Sequence, residues 1–241
     1  MNIFDHFNVF VFTCLYPIYV SFAYRKIKND LIENKPGVKI RDYKEGILGL
    51  WLLCLVTIVI WVSNERVFSL WRLDFSFSWV GLIAIFLFII TPFLFLLLFR
   101  KIKNDDSQRE AIKEKLDSVA ANEILPGSKK EFIWFVLLSI TAGICEEILF
   151  RGYLIWYLET LSSTPVAIIV SSIFFGAAHS YQGMKGVLRS GIFGLILALI
   201  LVWTDSLVIL IFLHIAGDVY NGVIGWLAYG DFEKENQIKP A

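Results

Sequence analysis

Apolar runs of membrane-spanning length alternate with polar segments along the chain. A helix needs about 20 apolar residues to cross the hydrocarbon core of a bilayer. The runs lie at about 7–24, 46–63, 79–99, 132–156, 166–181, 186–203 and 207–229. Pro17 and Pro92 interrupt two of them, and membrane helices tolerate proline as a kink. The pattern predicts an all-α fold, a polytopic membrane helix bundle of about seven transmembrane helices.

The composition indicates the same class of protein. Hydrophobic residues make up 57% of the 241 residues, and the mean hydropathy is +0.66. Soluble domains have an apolar content of about 45–50%. The cysteines Cys14, Cys54 and Cys145 lie inside apolar runs, so we interpret them as packing residues rather than as a disulfide framework. The sequence has no nucleotide-binding loop and no internal repeat, and we predict no nucleic-acid partner.

Basic residues are distributed unevenly among the polar segments. Segment 25–45 contains seven Lys or Arg and segment 100–130 contains eight, whereas the connection between the second and third runs contains only Arg66 and Arg72. With seven spans, alternate connections lie on opposite sides, and 19 of the 22 basic residues fall on one side. The positive-inside rule assigns that side to the cytosol. We therefore predict a multi-pass protein of the cell membrane with its N-terminus outside and its C-terminus cytosolic.

Segment 100–130 has a helical pattern of its own. Ser107 and Glu110 match a capping box. Apolar residues then recur at helical spacing, at Ile112, Leu116, Val119, Ala120 and Ile124. The pattern predicts a cytosolic amphipathic helix that either lies on the membrane surface or caps the bundle as a solvated linker helix. We divide the chain into an N-terminal three-span region with this helix, residues 1–130, and a four-span bundle with the candidate chemistry, residues 131–241.

The run at 132–156 differs from the others because it contains ionisable residues. Glu146, Glu147 and Arg151 lie within six residues of one another. A charged side chain in hydrocarbon costs about 3 kcal/mol or more, and such side chains persist mainly where they face a cavity or a partner. The cluster therefore indicates a functional site.

Helical geometry gives these three residues different surroundings. At about 100° per residue, Glu147 and Arg151 lie one turn apart on nearly the same face, in the favourable order for an ion pair. Glu146 points in another direction. We predict that Glu147 and Arg151 neutralise each other and fix the orientation of the helix, and that Glu146 is left free for chemistry.

Two histidines lie in the apolar runs that follow. His179 comes near the end of the fifth run, one turn after Phe175, and His214 lies in the seventh run, one turn before Asp218. A single membrane histidine is equally well explained as a hydrogen-bonding residue between packed helices. Two histidines together with a glutamate pair favour a site. His179 is counted near the cytosolic end and His214 nearer the outside, so tilted or longer helices are needed to bring both to Glu146.

Three short segments around these residues carry the most specific signal. The sequences EEILFR, FGAAH and HIAGD follow one another along the chain, each in an apolar run. They resemble the motifs Glu-Glu-x-x-x-Arg, Phe-x-x-x-His and His-x-x-x-Asn/Asp of the CAAX prenyl protease and bacteriocin-processing family of intramembrane proteases. The resemblance covers roughly residues 131–228. It departs from many members at Asp218, where they have Asn.

The resemblance implies a hydrolytic site around a polar cavity inside the membrane. Glu146 would be the general base that activates a water molecule, and His179 would help to position that water. His214 and Asp218 would stabilise the tetrahedral oxyanion or bind a metal. The residues that support the site and shape its pocket would be Glu147, Arg151 and Phe175.

The candidate site residues are compatible with a bound metal ion. A catalytic zinc ion usually has three protein ligands and one position for water, and His179, His214 and the carboxylate of Glu146 are the candidate ligands. The chain has no His-Glu-x-x-His motif. Asp218 could equally orient His214. Zinc and a metal-free glutamate mechanism are therefore both compatible with the residues.

We predict an intramembrane endopeptidase that hydrolyses a peptide bond of a membrane-associated or C-terminal-tail substrate with a glutamate-activated water. Its partners would be a membrane peptide or protein and the lipid bilayer. One alternative is a non-catalytic immunity or scaffold protein, and another is a proton-coupled transporter, because buried carboxylates and histidines also build proton relays. The ordered motifs favour the protease, since hydrolysis needs a base, an orienting group and an oxyanion partner together.

Overall fold

All regular structure in the described part of the chain is helical. The computed structural model describes residues 1–73, 86, 90, 93–97, 99–103, 105–117 and 122–230. In chain order, the main helices are α1 (Ile3–Ile32), α2 (Val38–Ser63), α3 (Asp106–Asp117), α4 (Lys129–Glu159), α5 (Thr164–Ala178), α6 (Gly183–Thr204) and α7 (Leu207–Tyr229). Short 3₁₀ turns lie at Phe68–Trp71, Asn122–Ile124 and Ser180–Gln182. The predicted all-α class is confirmed.

Five helices in these ranges are long and apolar enough to cross a membrane: α1, α2, α4, α7, and α6 together with the turn before it. They confirm a polytopic bundle. The run at 166–181 was predicted to end too late, because α5 spans Thr164–Ala178 and ends before His179. His179 itself has φ −97° and ψ 20°, outside helical geometry, and the chain turns there. The predicted span at 79–99 lies largely outside the described residues.

The first two helices are longer than their apolar runs. Asn2 caps α1, because its side chain accepts hydrogen bonds from backbone N–H groups of the first turn. The connection from α1 to α2 requires a glycine, since Gly37 has φ +70°. Both helices continue into polar sequence beyond the runs at 7–24 and 46–63. Hydropathy marks the part of a helix that lies in lipid, and it does not mark the ends of the helix.

α1 and α4 each contain a π-helical segment, Val11–Leu15 and Ile148–Leu154. The wider turn changes the face on which the following side chains lie, and such segments are frequent at functional sites. In α4 the segment begins directly after Glu147, and all of its residues are buried. The break in α-helical geometry therefore coincides with the predicted catalytic stretch.

α4 is the central helix, packed along α2 on one side and α7 on the other, while α5 packs along α6. Glycine permits the closest approaches. A Cβ atom at Gly143 of α4 would lie 2.5 Å from Cγ1 of Ile215, and one at Gly176 of α5 would lie 2.7 Å from the carbonyl oxygen of Val187. Small residues allow membrane helices to approach this closely. The crossing of α4 and α7 at Gly143 brings Glu146 beside His214.

α3 packs against the C-terminal end of α7. Asp105 caps it, because its carboxylate accepts a hydrogen bond from the backbone N–H of Gln108 at 3.0 Å; the predicted capping role of Ser107 is therefore wrong. Arg109 donates to the carbonyl oxygens of Leu227 and Gly230 at 3.1 and 2.7 Å. These contacts agree with the bundle-capping alternative. The predicted stripe continues into residues 118–121, which lie outside the described ranges.

A buried ion pair lies at the end of the bundle that contains the N-terminus. Asp5 is fully buried and accepts hydrogen bonds from both terminal nitrogens of Arg66, each at 2.7 Å. It also accepts one from the hydroxyl of Tyr153 at 2.7 Å. The guanidinium of Arg66 lies over the rings of Trp61 and Trp156, 5.3 and 4.5 Å from their centroids. This network joins α1 to the π-helical segment of α4.

Candidate active site

A cavity of about 330 Å³ lies between α1, α2, α4 and α7 and reaches the turn before α6. All four predicted catalytic residues line it, namely Glu146, His179, His214 and Asp218. The wall is mainly apolar, which is usual for a binding pocket with a few polar groups. The helices therefore bring residues that are far apart in sequence to one chamber.

The two adjacent glutamates have different surroundings. Glu147 is fully buried, and its Oε1 accepts a hydrogen bond from Nη1 of Arg151 at 3.0 Å. The predicted ion pair is thus present even though α-helical geometry gives way to the π-helical segment at Ile148. Oε2 of Glu146 and Oε2 of Glu147 are both buried without a hydrogen-bond partner among the described residues. Glu146 is the member of the pair that lines the cavity.

The guanidinium of Arg151 packs against residues of α5 and α6. Its guanidinium lies 4.1 Å from the centroid of the Phe175 ring, a cation–π contact. A Cβ atom at Gly194 would lie 2.9 Å from Nη2 of Arg151, so the absence of a side chain there leaves room for the guanidinium. Arg151 and Phe175 therefore support the buried Glu147 from two neighbouring helices.

His214 is joined to Glu147 by a hydrogen bond that the sequence analysis missed. Its Nδ1 lies 2.7 Å from Oε1 of Glu147. Because a carboxylate only accepts hydrogen bonds, Nδ1 carries the proton. Nε2, on the other side of the ring, lies 3.8 Å from Oε2 of Glu146 and 3.7 Å from Oδ2 of Asp218. Both distances are too long for direct hydrogen bonds, so Nε2 is available to a third group.

His179 reaches the cavity from the end of α5. Its Nδ1 lies 2.8 Å from the carbonyl oxygen of Phe175, which leaves Nε2 free of the backbone. The ring of Phe175 packs against both imidazoles, with centroids 4.9 Å from His179 and 5.8 Å from His214. Phe175 therefore spaces the two histidines. Because α5 ends before His179, this histidine extends from a helix end rather than from a continuous span.

The candidate metal ligands are His179, His214 and Glu146. Within the described ranges, no group of three or more His, Cys, Asp or Glu side chains is arranged to hold a metal ion. The side chains as they stand do not fit a zinc ion, and we derive no step through a metal.

Residues of the N-terminal half also line the cavity, and the sequence analysis did not assign them to the site. Tyr16, Tyr19 and Tyr24 of α1 and Asp42 and Glu45 of α2 belong to this group. Three tyrosines close together in the first apolar run could have indicated that this run contributes to a site. No spacing rule, however, connects them to glutamates more than 100 residues away.

Comparison with known proteins was made on the whole chain. Residues 128–220 match the model of the family described as type II CAAX prenyl endopeptidase Rce1-like. The matched segment contains all three motifs but covers less than half of the chain. Neither a search of curated proteins nor a search of solved structures found a match. The match confirms the family resemblance of this segment, and the five long apolar helices indicate a multi-pass membrane protein.

Proposed function

Because residues 128–220 match the Rce1-like family model, we propose that this protein is an intramembrane endopeptidase in which Glu146 activates the attacking water. One observation carries the proposal. Oε1 of Glu147 is bonded to both Arg151 and His214, and Oε2 of each glutamate is buried without a hydrogen-bond partner among the described residues, but only Glu146 lines the cavity. A buried polar atom without a hydrogen bond costs about 1–3 kcal/mol. A water molecule bound to Glu146 would remove that cost.

The proposed reaction is a direct attack of water on the peptide carbonyl. Glu146 accepts a proton from the water while the water oxygen bonds to the carbonyl carbon. The π electrons of the carbonyl group move to its oxygen, which becomes an oxyanion. Glu146 then delivers the proton to the amide nitrogen, and the C–N bond breaks to release a carboxylic acid and an amine. Water supplies every atom that is added to the products.

The two histidines have separate tasks in this proposal. Nδ1 of His214 donates to Glu147, so a protonated Nε2 can donate to the oxyanion. The carboxylates of Glu146, Glu147 and Asp218 surround that ring and compensate its positive charge. Nδ1 of His179 donates to a backbone carbonyl, which leaves Nε2 to hold the water in position.

The lining of the cavity supports a substrate with a lipid chain and a peptide tail. Apolar side chains of α1 and α2 form one part of the wall, including Phe12, Val20, Ile27, Leu50 and Leu53. Polar side chains form another part, including Asp42, Gln182, Arg189 and Asn221. A prenylated C-terminal tail of the CAAX type likewise has an apolar part, the prenyl chain, and a polar part, the peptide. We therefore propose such a tail as the substrate, with its lipid along the apolar wall.

The direct test is a substitution at Glu146 in the full-length protein. The protein is reconstituted into liposomes, and cleavage of a fluorogenic peptide with a farnesylated C-terminal CAAX sequence is followed. Glu146→Gln keeps the size of the side chain but removes the base, so we expect kcat to fall by about 100-fold or more. Glu114→Gln, on the exposed face of α3, is the matched control and should keep the wild-type rate.

Two results would overturn the proposal. One is a Glu146→Gln protein that cleaves the peptide at the wild-type rate. The other is a wild-type protein that leaves the peptide intact and gives the same membrane peptides in cells as Glu146→Gln, as judged by mass spectrometry. The second result would favour a scaffold or a transporter.

A further inference from the structure

Tyr16 of α1 lines the cavity and lies outside the segment that matches the family model. Its ring is half-buried, and its hydroxyl makes no hydrogen bond with any residue in the described ranges. The hydroxyl of a buried tyrosine usually has a hydrogen-bond partner. This hydroxyl is therefore a donor that is available to a bound molecule.

Contacts between α1 and α4 show that the two helices run in opposite directions. Nδ1 of His6 lies 2.7 Å from the hydroxyl of Tyr157. Further along α1, the ring of Phe12 packs edge-on against Phe150 with centroids 5.7 Å apart. The residue number rises along α1 while that of its partner falls along α4, so the pairing is antiparallel.

The same pairing gives the level of Tyr16 relative to the glutamates. A step of four residues through the π-helical segment Val11–Leu15 leads from Phe12 to Tyr16 on α1. The equivalent step in the other direction leads from Phe150 to Glu146 on α4. Because both steps start at the Phe12–Phe150 contact and point the same way, Tyr16 lies at the depth of Glu146.

Two features of the helices allow Tyr16 to occupy this place. The π-helical segment Val11–Leu15 ends directly before it, and Pro17 follows it. On the facing helix, a Cβ atom at Gly49 would lie 3.1 Å from the hydroxyl oxygen of Tyr16. The glycine therefore leaves room for the phenol, and a larger residue at position 49 would force the ring to move.

The proposed hydrolysis requires donors for the oxyanion. Preorganised donors at such a site contribute much of the rate enhancement of amide hydrolysis. His214 can supply one donor through Nε2. Asp218, as a carboxylate, can only accept, although it occupies the position next to that nitrogen. Of the residues in the three motifs, only His214 is thus assigned as a hydrogen-bond donor to the oxyanion, and a second donor would come from outside the motifs.

We infer that Tyr16 is a further catalytic residue that donates the second hydrogen bond to the carbonyl oxygen of the scissile peptide bond. The inference rests on the proposed hydrolysis at Glu146. It assigns a role in the chemistry to α1, which the three motifs do not include.

Tyr181 also lines the cavity, and its hydroxyl group is an alternative candidate for the second donor to the oxyanion. It already accepts a hydrogen bond from Nε2 of Gln182 at 3.0 Å. Its ring stacks beside His179, with centroids 6.2 Å apart. It therefore lies beside the residue that positions the water.

The test compares tyrosine-to-phenylalanine variants of the full-length protein in liposomes, with the farnesylated CAAX peptide as the probe. Tyr16→Phe removes only the hydroxyl, and we expect kcat to fall by about 100-fold with little change in KM. Tyr220→Phe removes the hydroxyl of an exposed tyrosine of α7 that does not line the cavity, and this matched control should keep the wild-type kcat. Thermal unfolding of each variant checks that the fold is retained.

A second comparison separates a donor from a packing residue. Asp218→Asn introduces an amide that can donate to the oxyanion, so the loss caused by Tyr16→Phe should be at least tenfold smaller in that background. A structural role of Tyr16 would give the same loss in both backgrounds and would overturn the inference. So would a wild-type kcat for Tyr16→Phe, or a loss at Tyr181→Phe instead. If Glu146→Gln is inactive in these assays, such results refute only the role of Tyr16; an active Glu146→Gln refutes the proposed function.

Discussion

Nδ1 of His214 donates a hydrogen bond to Oε1 of Glu147 at 2.7 Å, and this bond connects α7 to the centre of α4. The same carboxylate oxygen accepts from Arg151 at 3.0 Å. Glu147 is fully buried and Arg151 nearly so. A carboxylate that bonds both a cation and an imidazole inside the bundle fixes the orientation of the imidazole. Glu147 therefore positions His214 in addition to neutralising Arg151.

Glu147→Gln should destabilise the fold and displace His214. Breaking a buried ion pair by removing one partner costs about 3–5 kcal/mol, because the remaining charge is left without compensation. We expect a decrease of that size in the free energy of unfolding, measured by denaturant titration in detergent micelles. Glu110→Gln, on the exposed face of α3, is the control and should change stability by less than about 0.5 kcal/mol. Equal stability of the two variants would contradict a structural role for Glu147.

Gly143→Ala should separate α4 from α7. The new Cβ atom would lie 2.5 Å from Cγ1 of Ile215, and overpacking of this kind costs about 1–3 kcal/mol. Because Glu146 and His214 lie next to this crossing, we expect activity to fall together with the melting temperature. At Gly217, also on α7, the nearest atom to a new Cβ is 3.8 Å away. Gly217→Ala should therefore be tolerated in both measurements, and a similar loss at both positions would refute the explanation.

The proposed glutamate mechanism should not depend on zinc. Within the described ranges no three ligand side chains are grouped to hold a metal ion. We expect cleavage of the farnesylated peptide to survive prolonged treatment with a chelator. Elemental analysis of the purified protein should find far less than one zinc ion per chain. Loss of activity with the chelator and recovery with added zinc would contradict this prediction.

The orientation in the membrane follows from the uneven distribution of basic residues and can be tested by cysteine labelling. A membrane-impermeant maleimide added to intact cells should label Glu65→Cys, in the connection after α2, because that connection is predicted to be outside. It should label Ser107→Cys, at the exposed start of α3, only after the membrane is opened. The native Cys54 and Cys145 are buried, and background labelling at Cys14 is measured in the unsubstituted protein. The reverse pattern of labelling would invert the predicted topology.

Local spacing predicted part of the candidate site. The pairing of Glu147 with Arg151 follows from residues one turn apart, and it is present in the structure. The bond between Glu147 and His214 joins residues 67 positions apart, and no periodicity within either helix contains that information. The end of α5 was also predicted wrongly. The run was extended to Tyr181, although the backbone leaves helical geometry at His179.

The sequence by itself determined the membrane class, the helical fold, the order of the three motifs and the local ion pair, because hydropathy and helical spacing are properties of neighbouring residues. Only the tertiary structure decided which nitrogen of His214 faces Glu147. It also decided that α1 and α2 form a wall of the cavity and that Tyr16 lies level with Glu146. These relationships depend on how helices cross, and crossing is determined by close approach at positions such as Gly143 and Gly49.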